Sequence, residues 1–293
     1  MRRRDFLLGG GVLAPTAAAA GYATGVEPYF RLVETHWHPR PATWPEGLKL
    51  RIVALADIHM GPPQMTPDRL RRIVRQSLAL APDLVVLLGD YKADHPYVSR
   101  DVYTGDIIAI LSQLQAPLGV WAVLGNHDWW LDRHAQARRG GPTFWHAAFD
   151  RDGIPVLENA AVKLRHRGQD LWLAGLGSQQ AFRGAARPGH HDLAATLAPL
   201  ADDDAPAILL AHEPDIFPKV PQRVALTLSG HTHGGQVRVL GYSPLVTSGY
   251  GNRFAYGHII EHGRHLCVSG GLGCSRVPLR FGVPPEIMVV DLG

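Results

Sequence analysis

The chain has 293 residues, 46% of them hydrophobic and 19% charged, with 32 glycines, 23 prolines and two cysteines. This composition excludes intrinsic disorder, a disulfide scaffold and a four-cysteine zinc module, and so many turn-formers exclude a helical bundle. The formal net charge of +3 owes most to Arg2, Arg3 and Arg4 against Asp5; a basic surplus confined to a tail argues against a nucleic-acid partner.

In chain order, residues 1–21 read as an export signal. Arginines lead, Phe6-Leu7-Leu8 and a short Gly-rich apolar stretch follow, and Ala18-Ala19-Ala20 offers a small-residue cleavage site before Gly21. The string RRDFLL resembles the twin-arginine motif, with Arg3 and Arg4 as the pair. The expected address is the periplasm or the outer face of the cytoplasmic membrane, reached through the twin-arginine export machinery. Retention of the signal as a weak anchor, with peripheral membrane association, stays open. Residues 22–47, with Pro28, Pro39, Pro41 and Pro45, read as a linker or edge segment, and residues 48–293 as one domain. No apolar run long enough to span a bilayer lies in that body.

Leu48 to Ala56 is a nearly continuous apolar run, the pattern of a strand buried on both faces. Thr66-Pro67 signals a helix start, and Leu70, Ile73, Val74, Ser77 and Leu78 recur at helical spacing. A strand over Leu84–Leu88, a helix over Ile107–Leu114 and a strand over Leu118–Leu124 complete a β-α-β-α-β start with parallel strands. Further strands are expected at Val162–Arg165, Leu171–Gly175, Ile208–Ala211, Ala225–Ser229, Gln236–Val239, His265–Ser269 and Ile287–Asp291, with hairpins among them.

Five apolar strands end in polar clusters: Asp57-Ile58-His59, Gly89-Asp90-Tyr91, Gly125-Asn126-His127-Asp128, Ala211-His212-Glu213 and Gly230-His231-Thr232-His233-Gly234-Gly235. Ligands bind beyond the carboxyl ends of strands in open α/β sheets. Asp57, His59, Asp90, Asn126, His127, His212, His231 and His233 are therefore expected on one rim. Burying so many polar groups requires compensating cations. The set suits two divalent ions, and its mixture of imidazole and oxygen donors leaves manganese, iron and zinc open. Such a pair would leave the pocket net positive, attract phosphate and lower the pKa of bound water. Asp90 is the best bridge between the ions, with Gly89 expected to let the metals approach the backbone.

DIH, GDY, GNHD, AHEP and GHTHGG, in this order, resemble the calcineurin-like metallophosphoesterase superfamily. GHTHGGQ, the ending SGGLGCSRVPLRFGVPPEI and the twin-arginine signal narrow the likeness to the bacterial YaeI/YkuE group of exported phosphodiesterases. The resemblance spans about residues 48–291. It implies an α/β fold of two mixed β-sheets flanked by helices, four layers in all (α-β-β-α). It implies that Asp57, His59 and His233 hold one metal, that Asn126, His212 and His231 hold the second, and that Asp90 bridges them. His127 would contact the phosphate and protonate the leaving oxygen, with Asp128 orienting its ring. A hydroxide between the metals would attack phosphorus in line. Ala56, where many relatives have Ser, is the one departure, and it is not a ligand position.

The activity implied is metal-dependent phosphoester hydrolysis in the cell envelope, on phosphodiester or pyrophosphate bonds. The substrate would be a cell-envelope or lipid-linked phosphoester. Alternatives are a phosphomonoesterase for phosphate scavenging and a non-catalytic envelope-binding protein with structural metals. Eleven of the 16 histidines lie outside the motifs and read as surface or structural. Trp129-Trp130 wall the site or belong to the core. Arg133, Arg138, Arg139, Arg253, Arg276 and Arg280 include candidates for gripping an anion, each more simply a solvated charge. Cys267 and Cys274 admit a disulfide, with free thiols at least as plausible.

Overall fold

The apolar runs become strands because each is buried on both faces, by a second sheet on one side and helices on the other. The computed structural model describes residues 16–184 and 189–293, so most of the expected signal, residues 1–15, lies outside the described residues. The strands are β1 (Val33–Trp37), β2 (Leu50–Leu55), β3 (Leu84–Leu87), β4 (Val120–Ala122), β5 (Ala160–His166), β6 (Gln169–Gly175), β7 (Ala207–Leu210), β8 (Val224–Ser229), β9 (Gly257–Glu261), β10 (Arg264–Val268) and β11 (Glu286–Leu292). The α-helices are α1 (Glu27–Phe30), α2 (Pro67–Ala79), α3 (Thr104–Leu111), α4 (Asn126–Trp130), α5 (Arg133–Arg138), α6 (Phe144–Arg151) and α7 (Leu193–Leu197).

One sheet has the order β1-β11-β2-β3-β4, the other β5-β6-β7-β8-β10-β9. Alternation along β2 decides the layering. Leu50, Ile52 and Ala54 face the second sheet, meeting Leu171, Leu173, Ile208, Leu210, Leu226 and Leu228. Val53 and Leu55 face the other way, with Val85, Leu87 and Val289, onto Leu70, Ile73, Ile107, Leu111 and Phe149 of α2, α3 and α6. The outer face of the second sheet (Ala174, Leu209, Leu266, Val268) packs on Ile216 and Phe217, with Leu193 and Leu197 of α7 partly buried against it. This is the expected four-layer arrangement of two mixed sheets between helices.

Local rules hold at several termini. Thr66 caps α2, its hydroxyl accepting from Arg69 N at 3.2 Å, and Pro67 occupies the first turn. β5–β6 and β9–β10 are two-residue hairpins whose turn residues (Arg167-Gly168, His262-Gly263) all have positive φ, the twist-matched geometry. The strands between them, β6, β7, β8 and β10, pair parallel and are joined by crossovers rather than further hairpins.

One expected strand changes. Gln236–Val239 is not a strand. Gly234, Gly235 and Gln236 all have positive φ, and the segment makes only isolated bridges, Val237 with Phe281 and Val239 with Tyr242. The stretch expected as a linker or edge contributes an edge strand. β1 is the edge strand, parallel to β11. Before it, helical turns from 22 to 30 dock through Glu27, whose buried carboxylate accepts from Gly282 N (3.1 Å) and Val283 N (2.8 Å). Both cysteines are buried and unpaired.

Candidate metal centre

The eight rim residues converge at the carboxyl ends of β2, β3, β4, β7 and β8. Their backbone is bent to bring them together: Asp57, His59, Asp90, His231 and His233 all have φ between 41° and 69°. Left-handed backbone at a non-glycine residue costs about 1–3 kcal/mol and persists where surrounding structure imposes it. Glycines make the close approach possible. A Cβ on Gly125 would overlap Asp90 Oδ1, and one on Gly230 would stand 2.5 Å from Asp57 Oδ2. At Gly89 the missing side chain makes room for Gly125 N (2.5 Å) and His212 Nδ1 (2.8 Å) rather than for a metal. Gly271 and Gly273, in the SGGLG segment, pass under Asp57 and His59 in the same way.

Three groups of donor atoms form. Asp57, His59 and His233 make one, Asp90, His212 and His231 a second, and His59, Asp90 and His127 a third that joins them. His59 Nε2 lies 3.1 Å from His233 Nε2 and 3.6 Å from Asp90 Oδ2, and His233 Nε2 lies 3.5 Å from Asp57 Oδ1. On the far side of Asp90, the same Oδ2 is 3.3 Å from His212 Nε2. His231 Nε2 meets Gln180 Nε2 at 3.1 Å.

Burial lowers His212, but Asp90 outweighs it and holds that ring well above the ordinary histidine range. Burial pulls His59 down to about 3 and His231 to about 4, and it holds His233 well below the ordinary histidine range. Those rings are neutral, as metal ligands must be. Burial pushes Asp57 up to about 7. Asp90 resists the same burial because His212 and His127 face it, and stays well below the carboxylate range. His212 Nδ1 points at Leu88 O, 2.6 Å away, which aims Nε2 at Asp90. Asn126 Oδ1 and His212 Nε2 are buried without a hydrogen-bond partner among the described residues. An unsatisfied buried acceptor such as Asn126 Oδ1, set among carboxylates and imidazoles, fits a divalent cation.

His127 stands beside this cluster. Its backbone N–H donates to Asp90 Oδ1 (2.9 Å), and its ring is 4.9 Å, centroid to centroid, from both His59 and Trp130. The expected role of Asp128 does not fit. Its carboxylate accepts from the backbone N–H of Asp90 (2.8 Å), Tyr91 (3.0 Å) and Gly125 (2.8 Å), so it ties the two ligand loops together. The ring of His127 is held instead by Asp94, with Nδ1 and Oδ1 2.9 Å apart and Arg183 Nη2 3.6 Å from the other oxygen. Burial pulls His127 down, but Asp90 and Asp94 outweigh it and leave the ring above its ordinary value.

The cluster opens into a cleft of about 190 Å³ lined by Asp90, Asn126, His127, Trp130, Gln180, His231 and Arg276, among others. The tryptophan pair splits: Trp129 is fully buried core, and Trp130 lines the cleft. Of the candidate arginines, Arg276 lines the cleft, and Arg280 is buried with its guanidinium 3.3 Å from His233 Nδ1. Arg253 pairs with Glu261 on the surface. Asp94 and Gln180 escaped the sequence reading; both sit in loops without a patterned neighbour.

Comparison with known proteins agrees with this geometry. Residues 50–235 match the model of the calcineurin-like phosphoesterase family. The chain is 34% identical to the uncharacterized metallophosphoesterase YkuE of Bacillus subtilis, the alignment covering 100% of this chain and 98% of that protein. It is 28% identical to the phosphodiesterase YaeI of Escherichia coli, over 99% of this chain and 98% of that protein. A transmembrane protein with metallophosphoesterase domain from Bos taurus is 30% identical over 89% of this chain, which spans 56% of that longer protein.

Proposed function

Because the chain belongs to the calcineurin-like phosphoesterase family, and is a metal-dependent phosphoesterase, we propose that it hydrolyses phosphodiesters or pyrophosphates at a two-metal centre in the cell envelope. The observation that carries the two-metal reading is Asp90, one of whose oxygens faces His59 on one side and His212 on the other. Asp57, His59 and His233 would hold one ion and Asn126, His212 and His231 the other, with Asp90 between. Ions there would supply a nucleophilic water at neutral pH and neutralise phosphate charge.

The chain's own residues do the rest. Asp90 and Asp94 raise the pKa of His127 above its ordinary value, and the ring presents Nε2 to the cleft. As the water oxygen bonds to phosphorus, the bond to the leaving oxygen breaks. His127 gives that oxygen its proton and later regains one from solvent. Asp94 orients the ring, and Asp128 fixes the loops that carry Asp90 and His127.

The preference for diesters rests on the name of YaeI. The envelope location rests on the twin-arginine reading of residues 1–21, and fractionation with and without a functional twin-arginine pathway tests it. Hydrolysis of bis(4-nitrophenyl) phosphate against 4-nitrophenyl phosphate, by protein reloaded with manganese, tests the chemistry. Diester turnover that is lost in Asp90→Asn is the expected result. Monoester preference would indicate phosphate scavenging, and metal binding without turnover of either would indicate a binding protein.

A further inference from the structure

Beside the metal cleft lies a second, larger groove of about 430 Å³. The two share Thr247, Ser275 and Arg276, so they form one continuous depression. The groove's apolar walls are Val237, Leu245, Val246, Val277 and Leu279, with Thr232, His233, Gly235 and Gln236 completing the lining. It is held in shape by Gln236. The Gln236 amide donates to Val277 O (3.0 Å) and Leu279 O (2.8 Å), and its oxygen accepts from Ser275 N (2.8 Å). Leu245 is 80% exposed and Val277 41% exposed on the rim. A lone exposed apolar side chain is ordinary; apolar walls running into a catalytic cleft mark a ligand site.

Charge divides the depression. At the junction stands Arg276, which has no ion-pair partner among the described residues. Ser275 Oγ is there too, 3.5 Å from His127 Nε2. A phosphate in the cleft would therefore meet a cation at the groove's mouth, and a substituent on it would be led onto hydrocarbon walls. Resting on the phosphodiesterase reading above, we propose that this groove takes an aliphatic chain carried by the substrate. The substrate is thus an amphiphilic phosphodiester, with its phosphate at the metals and its chain along Val237, Leu245, Val277 and Leu279.

The test is a series of 4-nitrophenyl alkyl phosphates, from methyl to octyl, below their micellar concentrations, with 4-nitrophenyl thymidine phosphate alongside. The proposal predicts that kcat/KM rises about two- to fourfold for each methylene buried, and roughly tenfold or more from methyl to octyl. The double variant Leu245→Asp/Val277→Asp, at rim positions outside the core, is expected to flatten that slope; the slope, not the absolute rate, is the readout. Equal kcat/KM along the series would overturn the chain-binding groove while leaving the phosphodiesterase reading intact. So would a preference for the thymidine ester, or an unchanged slope in the double variant. No turnover of any diester would overturn both.

Discussion

Asp94→Asn separates the catalytic account from a merely structural one. In the native protein Asp94 Oδ1 lies 2.9 Å from His127 Nδ1, and burial of His127 is outweighed by Asp90 and Asp94. The ring's pKa is raised above its ordinary value, so its protonated form persists to higher pH and is lost as pH rises through the raised value. If the protonated ring donates to the leaving oxygen, activity falls on that alkaline limb. A hydrogen bond to a charged group contributes about 1.5–3 kcal/mol, or about one to two pKa units. Asparagine removes the charge and keeps the shape, so the alkaline limb moves about one to two units toward lower pH. At pH values above the native limb, kcat/KM for an ester with a poor leaving alcohol drops about ten- to a hundredfold, while a 4-nitrophenyl ester, whose leaving group needs no proton, loses far less. The assay is the pH profile of kcat/KM on both ester types, with metal content measured in parallel. An unshifted limb, or equal losses on the two esters, would refute the role given to Asp94.

Three further outcomes follow from the packing. Gly125→Ala places a methyl on Asp90 Oδ1 and 2.7 Å from His212 Cε1; bound metal should fall by more than about half with the circular dichroism spectrum retained, and full metal occupancy would contradict the close approach. Glu27→Ala leaves the Gly282 and Val283 N–H groups unpaired, a loss of about 1–3 kcal/mol in urea unfolding; an unchanged midpoint would show the N-terminal turns to be dispensable. Leu210→Ala, fully buried between the sheets, should cost about 2–5 kcal/mol by the same measurement, and a loss under about 1 kcal/mol would contradict the inter-sheet core.

The fold was legible where one physical rule acted alone. The runs at Leu84–Leu87 and Ala207–Leu210 are uniformly apolar, and Leu50–Leu55 is apolar but for the exposed Arg51, because two layers cover them. Polar residues at their ends converge because parallel strands end on one rim. Legibility failed where partners lie far away in sequence. The alternation in Val33–Trp37 is genuine, half-buried on one side, but becomes a strand only through β11, more than 200 residues on. Gln236–Val239 has strand-like composition, yet positive φ at Gly235 and Gln236 turns it away from any neighbouring strand. The family resemblance implied Asp128 as the partner of the His127 ring. The short helix α4 points its carboxylate back at its own N-terminus, onto Gly125 N. That leaves Asp94, from the loop after β3, to reach the imidazole.

The central claim is a pair of ions sharing Asp90, and the most direct measurement is manganese stoichiometry with electron paramagnetic resonance on the reloaded protein. Ions about 3.5–4 Å apart across one carboxylate predict two manganese per chain and an exchange-coupled spectrum, with Asp90→Ala losing the coupling and at least one ion. One ion per chain, or two with an uncoupled spectrum that Asp90→Ala leaves unchanged, would contradict it.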